Sequence, residues 1–99
     1  MDTEIEKIIS ALEQELIARI RRKREYIESI EFHNYRMATP EQNQEIEYRK
    51  ETLETMNHVI TVILQCLTLP RPYLLQQSEV IEGGVVINTD DYNLLLYIK

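Results

Sequence analysis

Ala38-Thr39-Pro40-Glu41-Gln42 is the stretch on which the fold turns. Thr39 supplies a helix cap, and Pro40 stands at the first helical position, where its missing N–H costs nothing. Gln42 completes a capping box by reaching back to the cap. A helix therefore begins here, and whatever precedes it must end a few residues earlier.

Downstream, Ile46, Leu53, Met56, Ile60, Ile63 and Leu67 recur at helical spacing and predict an amphipathic helix over about 40–69. Pro70 and Pro72 forbid its continuation. Upstream, Ile5, Ile9, Leu12, Leu16, Ile20, Ile27 and Ile30 form a second stripe, and no Gly or Pro interrupts it before Pro40. Thr3-Glu4-Ile5-Glu6 reads as the capping box of this helix. It spans about 3–36, roughly 50 Å at 1.5 Å per residue. Two long helices joined by so few residues run antiparallel.

The tail, about 73–98, has a different character. Both glycines of the chain, Gly83 and Gly84, sit side by side between β-branched residues, a hairpin signal. Asn88-Thr89-Asp90-Asp91 reads as another turn, and Tyr92-Asn93-Leu94-Leu95-Leu96-Tyr97-Ile98 as a third strand. Its leucines also permit a short helix; the strand is the expectation. The fold class is α+β: a long antiparallel helical hairpin followed by a small C-terminal antiparallel sheet. With 99 residues and no linker or repeat, a single domain over 1–99 is expected.

Charge and cysteine usage narrow the function. Eleven basic and seventeen acidic side chains leave a formal charge of −6. Nucleic acid or anionic lipid is repelled overall, so either partner needs a local basic patch. One cysteine excludes an internal disulfide framework and a zinc site built on several cysteines. The N-terminus is acidic where a signal peptide is basic. Val59–Pro70, the longest run without an ionisable group other than the thiol, has twelve residues, whereas a membrane span needs about 20. A soluble, intracellular protein is expected.

That same run bears on assembly. Val59, Val62, Leu64 and Cys66 lie off the main stripe, so this part of the helix is apolar nearly all round and must be covered on several sides. The tail covers one side, and a second copy in a homodimer is the expected cover for the rest. The alternative is a tail that wraps the helix completely.

The one candidate binding cluster is Arg19-Ile20-Arg21-Arg22-Lys23-Arg24, which holds five of the eleven basic residues. Arg21, Arg22 and Arg24 spread over the face opposite the stripe, as a phosphate-binding patch requires. The competing reading is a solvated face laced by the pairs Glu15–Arg19, Arg21–Glu25 and Arg24–Glu28, with Glu45–Arg49 on the second helix. Lys23 and Arg49 interrupt the stripes; their stems are expected to pack while their charged ends reach out to glutamates. His33 and His58 fall at levels roughly 20 Å apart along the hairpin, too far for joint metal ligation. Cys66 reads as a small core residue. Ser10, Ser29 and Ser78 lack a nucleophile context, Gly83-Gly84 is explained as a turn, and Asp90-Asp91 as turn chemistry. Six tyrosines beside one Phe and no Trp fit the rim of a core and a contact surface. No enzyme, cofactor or metal is expected.

Thirteen isoleucines, many Glu–Arg pairings and few glycines suit a very hot habitat. The whole chain, with Ile60-Thr61-Val62-Ile63-Leu64-Gln65-Cys66-Leu67 before a Gly-Gly tail ending in Leu94-Leu95-Leu96-Tyr97-Ile98-Lys99, resembles a small protein of the archaeal filamentous viruses. These are the lipothrixviruses and rudiviruses of hyperthermophilic acidophiles. The resemblance implies a virus-encoded protein made inside an archaeal cell and resistant to heat and acid, and it assigns no catalytic or binding residue. The expected function is that of a non-enzymatic accessory protein acting through protein–protein contacts. The alternative is a nucleic-acid-binding accessory or regulatory protein using Arg21, Arg22 and Arg24.

Overall fold

Two 29-residue helices, α1 (Asp2–Ile30) and α2 (Pro40–Thr68), form the predicted hairpin in the computed structural model, which describes residues 2–30, 39–90 and 92–97. The expected extension of the first helix over 31–36 lies outside the described residues, as does His33. α1 already includes Asp2, so Thr3 sits inside the first turn instead of capping it.

The decisive turn is built as the sequence reads. The Gln42 amide donates to the Thr39 hydroxyl at 3.2 Å, and the Thr39 amide donates to Gln42 Oε1 at 2.8 Å. α2 stops at Thr68, where the Leu69 amide closes onto the Cys66 carbonyl at 3.2 Å.

The tail departs from expectation at its start. Residues 73–77 are not part of the sheet: Arg71–Gln76 form a short helix, α3. Pro72 lies in its first turn, a position proline favours, and the Leu74 amide donates to the Pro70 carbonyl at 2.9 Å. The prolines that end α2 thus also start α3. Leu74 anchors it in the core, and the Ser78 hydroxyl donates to the Leu74 carbonyl at 2.6 Å as the chain turns into the sheet.

Three antiparallel strands follow in the order β1 (Ser78–Ile81), β2 (Gly84–Asn88), β3 (Asn93–Tyr97). The leucine-rich run is the expected strand, with Leu94 and Leu96 buried and Asn93, Leu95 and Tyr97 exposed. The two glycines have separate duties. Gly83 alone takes a positive φ, 78°, in the turn Glu82-Gly83. Gly84 is already in β2, where a Cβ would lie 2.5 Å from the Leu96 carbonyl oxygen. At the second turn the Thr89 hydroxyl accepts from the Tyr92 amide at 2.8 Å and donates to its carbonyl at 2.6 Å.

The core sits at one end of the hairpin. Ile5, Ile8, Ala11 and Leu12 of α1 meet Val59, Val62, Ile63 and Cys66 of α2, Leu74 of α3, and Val85, Ile87, Leu94 and Leu96 of the sheet. α1 contacts every other element. On both helices the buried face is rotated from the predicted stripe: Ile9, Ile60 and Leu67 are only half-buried, while Ile8, Val59, Val62 and Cys66 are inside. The chain measures 59 × 25 × 23 Å with a radius of gyration of 17.2 Å. A compact chain of about 100 residues would have roughly 13 Å.

Two outcomes test this packing. Ile8→Ala should cost about 2–5 kcal/mol, the range for a fully buried aliphatic, and Ile9→Ala clearly less; urea denaturation of both variants measures the difference. The second concerns acid. No charged side chain is buried among the described residues, and the Glu15–Arg19, Glu45–Arg49 and Glu47–Lys50 pairs are surface contacts worth tenths of a kcal/mol each. Loss of these surface pairs leaves the core intact. Far-UV circular dichroism should keep its helical signal at pH 3, and loss of that signal there would show that the core alone does not hold the fold.

Candidate interaction surfaces

Past Leu12 on α1, and before Val59 on α2, no described residue is buried. This distal half of the hairpin carries the basic cluster. Arg21, Arg22 and Arg24 all lie exposed on α1. Arg19 is drawn aside, its Nε donating to Glu15 Oε1 at 2.6 Å, and Lys23 is half-buried. Of the four expected helix pairs, Glu15–Arg19 and Glu45–Arg49 form, each at 2.6 Å. Arg21–Glu25 and Arg24–Glu28 do not, so the arginine face is not laced by ion pairs among the described residues. Three exposed arginines thus stand within four residues of one helix, none of them in an ion pair among the described residues.

Beside them, α1 and α2 keep an apolar stripe that is incompletely covered. Leu16, Ile27, Ile46, Leu53 and Met56 are half-buried, and Ile17 (59% exposed), Ile20 (42%) and Tyr48 (67%) stand out into solvent. Lys23 lies beside Ile20 and Ile27 in a shallow hollow, with Glu28 at its rim. Arg49 is held by Glu45, its side chain only 20% exposed. Arg49 thus meets a glutamate as expected, whereas Lys23 packs beside the stripe without an ion pair among the described residues.

His58 and Cys66 have structural explanations, while Asp91, like His33, lies outside the described residues. The His58 ring lies 5.5 Å from the Tyr92 ring at a tilt of 56°, an edge-on aromatic contact. No group of three potential metal ligands occurs among the described residues. Cys66 is 1% exposed, and burial raises its thiol pKa, so the neutral and unreactive form is favoured. It forms part of the floor of a cleft that sequence reasoning missed. Val62, Cys66 and Leu69 make the base, with Tyr73, Gln65, Gln77, Asn88, Thr89 and Asp90 around it. Asp90 is the one carboxylate in this lining, so it offers neutral hydrogen-bonding groups and no acid–base pair. Its residues come from α2, α3 and the β2–β3 turn, and only the unforeseen α3 brings them together.

The second missed feature is the outer face of the sheet. The register aligns Glu79, Val86 and Leu95 in one row, and Ile81, Gly84 and Tyr97 in the next. Ile81 (40%), Leu95 (51%) and Tyr97 (73%) are exposed there. The signal was the β3 run itself, whose alternation leaves a leucine and a tyrosine pointing away from the core.

No described helix is long and apolar enough to cross a membrane. No family model, curated protein or solved structure matches the chain. The class defined by the fold is therefore an α+β domain with a projecting helical hairpin and a three-stranded sheet.

Proposed function

We propose that this chain is a non-enzymatic interaction protein that works as a homodimer through protein–protein contacts. In the setting implied by its resemblance, it is a viral accessory protein of the host cytoplasm. The supporting observation is the apolar and tyrosine surface left uncovered, above all along the distal hairpin and on the outer face of the sheet. Water-exposed Ile17, Ile20, Leu95 and Tyr97 gain free energy when another surface excludes water from them, at roughly 25 cal/mol per Å². Tyrosine suits such a surface because its ring buries while its hydroxyl still finds a partner. Sedimentation equilibrium at micromolar concentration should give twice the mass of the chain. A monomer at every concentration tested would overturn the homodimer.

A second reading rests on the exposed arginines. Arg21, Arg22 and Arg24, free of ion pairs among the described residues, form a cationic face on an otherwise acidic protein. Such a face binds phosphates by releasing counterions, with little regard to sequence. On this reading the protein binds double-stranded DNA at low salt with a steep salt dependence, and changing all three arginines to Gln lowers affinity at least tenfold. Absence of binding at low salt would leave the cluster as a solvated face.

A further inference from the structure

The free edge of β3 has a chemistry that an apolar patch lacks: unpaired backbone groups at fixed spacing. The Asn88 amide donates to the Gln77 carbonyl at 3.0 Å, on the β1 side. Alternation along an antiparallel ladder then turns the backbone of Gly84, Val86 and Asn88 toward β1, and that of Val85 and Ile87 toward β3. The pairs Val85–Leu96 and Ile87–Leu94 exchange hydrogen bonds. Asn93, Leu95 and Tyr97 consequently present their N–H and C=O groups to the open side, where no further strand lies among the described residues. A groove runs along this edge. Five consecutive residues, Tyr92–Leu96, line it on one side, with Glu15 and Arg19 of α1 and Thr55, Val59 and Ile63 of α2 opposite.

The two edges of the sheet differ. β1 is four residues long, carries Glu79 and is followed by Glu82 in its turn. A short strand with carboxylates is protected against pairing. β3 is five residues long, without charge, proline or glycine. It has none of those protections.

We propose that β3 pairs antiparallel with β3 of a second copy about a twofold axis at Leu95, giving one six-stranded sheet. This inference rests on the homodimer reading and specifies its interface. Charge selects the occupant. Two chains of net charge −6 repel each other, so a self-contact belongs where carboxylates are absent, and Asn93–Tyr97 is such a stretch. In the groove the charges of Glu15 and Arg19 neutralise each other at 2.6 Å, leaving no net charge to recruit an acidic or basic peptide. An antiparallel strand is self-complementary under twofold symmetry. With the axis at Leu95, Asn93 faces the partner's Tyr97 and Leu95 faces the partner's Leu95, and all three outward residues of each copy exchange hydrogen bonds. The outer rows through Val86 and Leu95 of the two copies become continuous across the axis, and each Tyr97 lies against the partner's Asn93.

Disulfide trapping in the full chain tests the register, with the buried native Cys66 left in place and the unmodified protein as control. Residues opposite each other in such a ladder stand about 5.5 Å apart at Cα, within disulfide reach. Leu95→Cys should give a covalent dimer under mild oxidation. Asn93→Cys and Tyr97→Cys should crosslink when mixed, and neither alone. Leu95→Lys, which sets two like charges on the axis, should raise the dimer dissociation constant at least tenfold while circular dichroism stays unchanged. A dimer by sedimentation that traps at none of these positions, or that traps with Tyr97→Cys alone, overturns the β3 interface and leaves the homodimer standing. A monomer overturns both.

Discussion

The rest of the structure depends on the contact made by the N-terminal half of α1. Ile5, Ile8, Ala11 and Leu12 lie between α2 and the sheet, and α1 contacts every other element of the fold. Ala11 is 3% exposed, and so small a side chain permits close approach at the centre of this face. Without that face, the apolar Val59–Cys66 segment and the inner sides of β2 and β3 would have no common partner. The sheet is only three short strands, too little to be stable except against helices.

This arrangement confines the core to one end and leaves the other half of each helix without a buried residue. α1 and α2 have the same length, so they accompany each other beyond the core, their inner stripe half-covered. The molecule is accordingly long and thin. Its exposed arginines and its apolar stripe lie beyond that core, whereas the open edge of β3 lies beside it. The fully buried side chains are gathered at one end, and the distal half presents surface.

Local chemistry made much of this legible. The Thr39-Pro40-Gln42 box, the stop near Pro70 and the β3 alternation follow from constraints acting within a few residues, and they appear as read. The basic cluster was equally visible, because five charges in six residues need no tertiary information. Its ion pairing was not: rotamers decide which glutamates reach, and Glu25 and Glu28 do not. α3 escaped notice because proline is read first as a breaker, although within a first turn it is a helix starter. The cleft around Val62 and Cys66 was hidden for the same reason, since α3 supplies Tyr73 to its wall.

By itself the sequence determined the elements and their order apart from α3: two long helices, an antiparallel return, and strands after the prolines. These are set by hydrogen-bond capping, proline geometry and side-chain period, all short-range. Tertiary structure alone decided which face of each helix is inside. α2 carries two overlapping apolar stripes, one through Ile60 and Leu67 and one through Val59, Val62 and Cys66, and both satisfy a helical period. The choice between them belongs to the partners. The sheet and α1 bury the second stripe, and the first is left half-covered at the surface. The edge chemistry of β3 has the same origin, because only the strand order shows which backbone groups of Asn93, Leu95 and Tyr97 are left without a neighbour.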